Sequence, residues 1–320
     1  MQFSVIGHCT WGDSANEGKD VATIVATLPE DEDVTGLDFS PDGKYLATST
    51  PNTTTVRLWD WNGTGKIVRT VEKVDGRDDL VASEPLRFSP NGKFLAGTDT
   101  VWNPRSGTVV FGMKASSGVN CVAVAFSPDG KWLFRAFSRS PEILGDNFTV
   151  YDTADWHPVW GLGAAWFYPD SMALSPDGKF AALAGPNLDA GPVRHQVRII
   201  DLSKRAIVRT LEMDATRLAW SPDGIHLAVA GGVPSIVIID AASGVIVDSE
   251  SGESGRAFVR YTRDGKYLIE SVNGAVRIWD GQHRTLLQRI KAMPGNIAVS
   301  GDGRYFALSA GRKIVVWSLK

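Results

Sequence analysis

The sequence predicts an all-β fold, a seven-bladed β-propeller of four-stranded antiparallel blades. Two observations support this prediction. A turn phrase, in which an aromatic or aliphatic residue precedes Ser-Pro-Asp-Gly-Lys, recurs seven times in full or reduced form. Its successive copies are 38 to 49 residues apart, which brackets the roughly 40–45 residues of a four-stranded blade.

The turn phrase has a direct chemical explanation. Proline presets φ for the second position of a β-turn, and the following Asp-Gly pair tolerates the tight geometry. Strand-forming residues on both sides make each copy a hairpin signal. Five copies match the turn sequence closely, whereas the copies at 261–266 and 299–304 keep only its Asp-Gly core. The Asp-Gly or Asn-Gly pairs begin at positions 42, 91, 129, 177, 223, 264 and 302.

A second signature, a third strand that ends on Asp, Asn or Ser, trails each turn. Clear copies occupy 56–60, 197–201 and 276–280, and a fourth strand follows, as at 67–71. The last repeat reaches residue 320 with only three strands. Its missing partner is supplied by 19–28, which resembles the other fourth strands.

We therefore expect residues 19–28 to pair beside 313–319 and to close the ring. Closure removes the exposed sheet edges that would otherwise invite aggregation. The propeller is predicted to span residues 19–320. Residues 1–18 are predicted to form an N-terminal arm or an extra edge strand.

At this point the sequence resembles the WD-repeat family, in a bacterial form with Ser-Pro-Asp-Gly turns. The residues that carry the resemblance are those turns and the pairs Trp59-Asp60 and Trp279-Asp280. None of the repeats between residues 19 and 320 carries the Gly-His dipeptide that usually opens a WD repeat, so the resemblance does not extend to that family's His-centred hydrogen-bond network. The same turn wording occurs in other bacterial propellers, including the lactonase type.

Composition restricts the classes of partner. The formal net charge is −3, so no basic stripe indicates a nucleic-acid partner. Cys9 and Cys121 are far apart and lack the spacing of a zinc site. The N-terminus lacks the features of a secretory signal, and no apolar run is long enough to span a bilayer. We expect a cytoplasmic monomer with no cofactor, no metal and no membrane contact.

The resemblance implies that the Ser-Pro-Asp-Gly turns lie on one face of the disc. The loops between second and third strands, and those between blades, then lie on the other, which we call the loop-rich face. Long insertions at 137–147 and 185–195, with an aromatic run at 166–168, predict a partner-binding sector there. The alternative is that these loops pack on one another and the aromatic residues seal them. The predicted partner-binding residues are Phe137, Arg139, Ile143, Leu144, Trp166, Phe167, Tyr168, Arg194 and His195.

Charged residues occupy equivalent positions in three innermost strands, where they are expected to line the central channel. They are Asp38, Arg87 and Arg260. Asp38 and Arg87 belong to adjacent blades and could form a structural pair. The alternative is an anion site that uses Arg87 and Arg260.

The acidic run at 30–33 is predicted to be a solvated loop. The alternative is that it attracts a basic peptide or a cation.

Motifs for nucleophilic, metal-dependent or phosphate-binding chemistry are absent. We therefore interpret the chain as a non-enzymatic scaffold that binds a protein or peptide on the loop-rich face. The alternative is a propeller enzyme of the sugar-lactone hydrolase type, with acid, base and electrophile at the channel. A sensor or targeting module of a larger assembly is the third possibility.

Overall fold

The computed structural model describes residues 20–50, 55–72, 86–112, 121–138, 147–163, 167–188, 194–250, 255 and 257–320. This part of the chain forms seven four-stranded antiparallel sheets. Each innermost strand contacts the innermost strands of both neighbouring sheets, and the seventh contacts the first. The predicted seven-bladed propeller is therefore confirmed.

Within each blade the strands follow one another from the channel to the rim. The innermost strands are β2 (Gly36–Phe39), β6 (Arg87–Phe88), β10 (Cys121–Phe126), β14 (Ser171–Leu174), β18 (Arg217–Trp220), β22 (Phe258–Tyr261) and β26 (Ile297–Val299). The second strands are β3 (Leu46–Ser49), β7 (Leu95–Ala96), β11 (Trp132–Phe137), β15 (Phe180–Asn187), β19 (His226–Ala230), β23 (Tyr267–Val272) and β27 (Tyr305–Ser309).

The third strands are β4 (Thr55–Asp60), β8 (Thr100–Trp102), β12 (Phe148–Asp152), β16 (Arg194–Asp201), β20 (Ile236–Asp240), β24 (Ala275–Asp280) and β28 (Lys313–Leu319). The outermost strands are β5 (Lys66–Glu72), β9 (Val109–Gly112), β13 (Pro158–Leu162), β17 (Ala206–Glu212), β21 (Ile246–Glu250), β25 (Leu286–Lys291) and, in the last blade, β1 (Ala22–Pro29).

The repeated turn connects the first and second strands of each blade. In blade 1 the Gly43 N–H donates to the Ser40 carbonyl at 2.8 Å, and Gly43 has a φ of 71°. The Ser40 hydroxyl and the Lys44 N–H both donate to Oδ1 of Asp42, at 2.6 and 3.1 Å. Side-chain oxygens thus satisfy the turn's donors, which explains why the phrase recurs. Because the strands are antiparallel, turns between third and fourth strands share this side, which we call the turn face.

The ring closes through the N-terminal strand, as predicted. β1 pairs antiparallel with β28, from Ala22 opposite Leu319 to Pro29 opposite Lys313. The strand begins at Ala22, three residues later than the sequence indicated. Residues 1–18 and Lys19 lie outside the described residues, so the predicted arm or edge strand stays a prediction.

Two blades depart from the regular pattern. The second is pinched, since its first two strands have two residues each. In the fourth blade the insertion at 185–195 is partly strand, because β15 and β16 pair outward as far as Asn187 opposite Arg194. The insertion thus lengthens a hairpin toward the loop-rich face, where the sequence had suggested a loop.

The acidic run at 30–33 is only partly solvated, contrary to the prediction. The Glu30 side chain is buried and accepts hydrogen bonds from the Thr48 hydroxyl, the Arg57 guanidinium and the Trp59 indole N–H. The indole also donates to the Thr48 hydroxyl oxygen at 3.0 Å. Asp31 stays 81% exposed and pairs with Arg57 at 2.6 Å. The first residue of the run therefore links to the second and third strands of blade 1.

Candidate functional site

The three segments of the predicted partner-binding sector meet at their bases. The Phe137 N–H donates to the Asn147 carbonyl at 2.9 Å, closing the base of the blade 3 insertion. The Asn147 side-chain amide donates to the Phe167 carbonyl at 2.9 Å. Phe167 in turn forms a β-bridge with Asn187 on the lengthened hairpin of blade 4. Blades 3 and 4 are thus joined at the loop-rich face.

Two of the aromatic residues predicted to contact a partner lie inside the protein. Phe137 is 4% exposed and Phe167 is fully buried. The guanidinium of Arg198 lies 4.2 Å from the centroid of the Phe167 ring. These side chains therefore pack between blades, as the alternative interpretation expected, and offer no surface to a partner.

The rest of the predicted sector divides into two groups. Tyr168 and His195 are partly exposed. The backbone of Arg194 lies in β16. The side chain of Arg194 and the residues Arg139, Ile143, Leu144 and Trp166 lie outside the described part of the structure. A binding role for this sector stays a prediction.

The channel residues come together as the repeat alignment indicated. A cavity of about 60 Å³ on the propeller axis is lined by residues from all seven blades, including Arg87 and Arg260. Sequence reasoning missed a further arginine there, Arg217 at the start of β18. Arg217 lies two residues before the position equivalent to Arg87. Since alternate residues of a strand share a face, the repeat alignment contained the signal for it.

Asp38 and Arg87 do not form the predicted pair. Asp38 Oδ2 accepts the Phe88 N–H at 2.8 Å. Arg87 Nη1 donates to the Leu86 carbonyl at 2.7 Å. Burial raises the pKa of Asp38, although Arg87 and Arg260 act in the opposite direction. The carboxyl is held by the backbone of the next blade, and the arginines remain available to the channel.

Two clefts on the turn face were not predicted. The first has a volume of about 620 Å³, lies between blades 1 and 2, and is walled by Pro41, Tyr45 and Pro90. The second, about 520 Å³, lies between blades 1 and 7. Tyr45 and Val68 border both clefts, and Tyr45 is 40% exposed. Both volumes fall in the range of ligand pockets, about 300–1,000 Å³.

The first cleft carries more positive than negative charge. Lys44, Arg69 and Arg105 line it, against the single carboxylate of Asp42. Arg69 is fixed across the interblade boundary, since Nη1 donates to the Ser106 carbonyl at 3.0 Å. The combination of proline, tyrosine and arginine is typical of surfaces that bind other proteins.

Neither a metal site nor a membrane-spanning helix is found in the described residues. No group of three or more His, Cys, Asp or Glu side chains there is arranged to hold a metal ion. The same residues contain no helix long and apolar enough to cross a membrane.

Comparison with known proteins finds similarity to WD-repeat proteins. The family model described as "WD domain, G-beta repeat" matches residues 22–60 and 107–139. WD repeat-containing protein 90 of Homo sapiens is 25% identical over 294 residues, which are 83% of this chain and 16% of that protein. The COMPASS component SWD3 of Saccharomyces cerevisiae is 29% identical over 125 residues, 37% of each chain.

A third relative, Protein HIR1 of Coccidioides immitis, is 25% identical over 295 residues. The match covers 87% of this chain and 25% of that protein. The chain thus spans between 16% and 37% of the length of these relatives.

Proposed function

Because the chain belongs to the WD-repeat family of β-propellers, we propose that it is a non-enzymatic scaffold that binds a protein through an extended segment of its partner. One relative, SWD3, is by its name a component of COMPASS. The observation that carries the proposal here is the cationic cleft beside Tyr45. A rigid ring with a preformed cleft binds a segment without reorganising its own backbone.

The cleft itself specifies the kind of segment. Its walls are apolar at Pro41, Pro90 and the ring of Tyr45, while Arg105 and Lys44 stand at its exposed rim. An extended segment with one bulky apolar side chain and nearby carboxylates matches both features. We propose such an acidic-hydrophobic segment as the occupant.

The test is selection of peptides from a displayed random library on the purified protein. We expect enrichment of sequences that combine Asp or Glu with an aromatic or large aliphatic residue. The Tyr45→Ala and Arg105→Ala variants should weaken the selected peptides by about tenfold each, which is the range for interface anchors. Arg289→Ala is the matched control for charge, since Arg289 is exposed on the outermost strand of blade 6.

Peptide binding by the Tyr168→Ala variant shows whether the partner binds the turn face or the loop-rich face. If it removes binding while Tyr45→Ala leaves it intact, the partner binds the loop-rich face and the cleft assignment is wrong. If no sequence class is enriched and the protein hydrolyses sugar lactones, the scaffold proposal itself fails. Circular dichroism and the melting temperature establish that each variant is folded.

A further inference from the structure

The central channel contains more positive charge than its own carboxylates offset. Arg87, Arg217 and Arg260 line the axial cavity from blades 2, 5 and 6, and Asp170 lines it from blade 4. Asp38 is close enough to act on the charges of Arg87 and Arg260. If both carboxyls are ionised, three cations face two anions.

Arg87 and Arg260 use little of their hydrogen-bonding capacity on the described residues. In all three arginines, Nη1 donates to the carbonyl of the preceding residue: Leu86 at 2.7 Å, Thr216 at 2.7 Å and Val259 at 2.9 Å. Arg217 Nη1 also donates to the Asp170 carbonyl at 3.3 Å, and its guanidinium lies 4.9 Å from the centroid of the Phe258 ring. Arg260 Nη1 also lies 3.5 Å from the Leu218 carbonyl. Among the described residues, neither Arg87 nor Arg260 lies within ion-pair distance of a carboxylate. A guanidinium has five N–H donors, so most donors of these two groups face the channel.

The electrostatic state of the channel is unfavourable without a counterion. Burial lowers the pKa of Arg260, and the like charges of Arg87 and Arg217 add to the effect against the opposing influence of Asp38. A guanidinium nevertheless keeps its proton near neutral pH. Burial raises the pKa of the Asp38 carboxyl, whereas Arg87 and Arg260 lower it. The like charges of the three arginines therefore favour the entry of an anion.

No further charged side chain stands in the layer of Arg87 and Arg260 besides Asp38. At the position equivalent to Asp38, Arg87 and Arg260 the other four blades carry a methyl group only. These residues are Ala125, Ala173, Ala219 and Ala298. The cavity volume of about 60 Å³ exceeds the roughly 10–15 Å³ that one water needs. The cavity has room for a few waters or one small anion, and it is too small for a nucleotide.

We propose that the channel binds one small tetrahedral oxyanion, of the size of sulfate or phosphate, between the guanidinium groups of Arg87, Arg217 and Arg260. Planar guanidinium groups match such oxygens with paired hydrogen bonds. The anion would neutralise the excess charge on the axis and link blades 2, 5 and 6. This site is separate from the cleft beside Tyr45, so either proposal stands if the other fails.

The test is titration of the purified protein with sulfate by isothermal calorimetry, at constant ionic strength set with sodium chloride. Wild type should bind one sulfate per chain. Arg260→Met should lower the affinity by about tenfold or more, because it removes a charge-assisted donor pair. Arg289→Met, the same substitution on the exposed rim, should leave the affinity unchanged.

Melting curves supply the second readout. Without sulfate, Arg260→Met should melt at or above the wild-type temperature, since it removes a repelled charge. With sulfate, wild type should gain stability and Arg260→Met should gain less. An equal gain in wild type, Arg260→Met and Arg289→Met would mean general exclusion of sulfate from protein surfaces and would overturn the proposal. Absence of one-site binding in wild type would also overturn it. If Arg260→Met does not fold, Arg87→Gln takes its place in both measurements.

Discussion

Replacing Glu30 by glutamine tests the physical account of blade 1. The glutamine carbonyl still accepts the Thr48 hydroxyl and the Trp59 indole N–H. Its NH₂ group, however, faces the Arg57 guanidinium, so two donors oppose each other where a charge-assisted bond stood. Hydrogen bonds to charged groups contribute about 1.5–3 kcal/mol. Because Arg57 keeps Asp31 as a partner, we expect a loss of about 2 kcal/mol in the free energy of unfolding.

That loss converts to a measurable shift in melting temperature. With an unfolding entropy of about 2.1 cal/mol/K per residue and a chain of 320 residues, 2 kcal/mol corresponds to about 3 °C. Calorimetry at neutral pH measures the shift. Asp33→Asn is the matched control, since Asp33 belongs to the same acidic run and is exposed, and it should shift Tm by less than about 1 °C. Equal shifts in the two variants would refute the reasoning.

Two further predictions concern closure and the repeated turn. Removal of residues 1–29 should lower Tm by at least about 3 °C relative to removal of 1–18, because the loss of buried Leu28 alone costs about 2–5 kcal/mol. An unchanged Tm would contradict closure by β1. Hydrogen bonds from the Ser127 hydroxyl and the turn backbone lower the pKa of Asp129. A lowered pKa in the folded state gives stability that is complete above the unfolded value of 3.8 and is lost as pH falls below it. Asp129→Asn should therefore reduce the acid-induced loss in unfolding experiments, and identical pH profiles would contradict this.

The features that were predictable from sequence arise from local chemistry repeated at regular intervals. The turn residues Ser40 and Asp42 satisfy donors only two to five positions away, so their pattern is visible in one dimension. Blade 2 carries Asn91 in place of Asp, and its side-chain oxygen accepts the same two bonds. Ring closure was predictable because a complete blade needs four strands and the last repeat supplied three.

The features that were not predictable depend on contacts between distant segments. Glu30 looks like part of a solvated acidic run, and only its position beside Thr48, Arg57 and Trp59 makes it a buried acceptor. Aromatic Phe167 looks like a binding anchor but fills the space between blades 3 and 4. The cleft beside Tyr45 is lined by residues of two blades, from Ser40 to Arg105, so it depends on how those blades pack and not on one local residue pattern. Arg217 was detectable, since it shares a strand face with the position that was recognised.

The most direct test of the scaffold proposal is a crystal structure of the protein with the peptide that selection enriches most strongly. We predict the peptide in the cleft between Pro41 and Pro90, with its apolar side chain against the Tyr45 ring and a carboxylate within hydrogen-bond distance of Arg105. A peptide bound to the loop-rich face near Tyr168, with the cleft beside Tyr45 unchanged, would contradict the proposal.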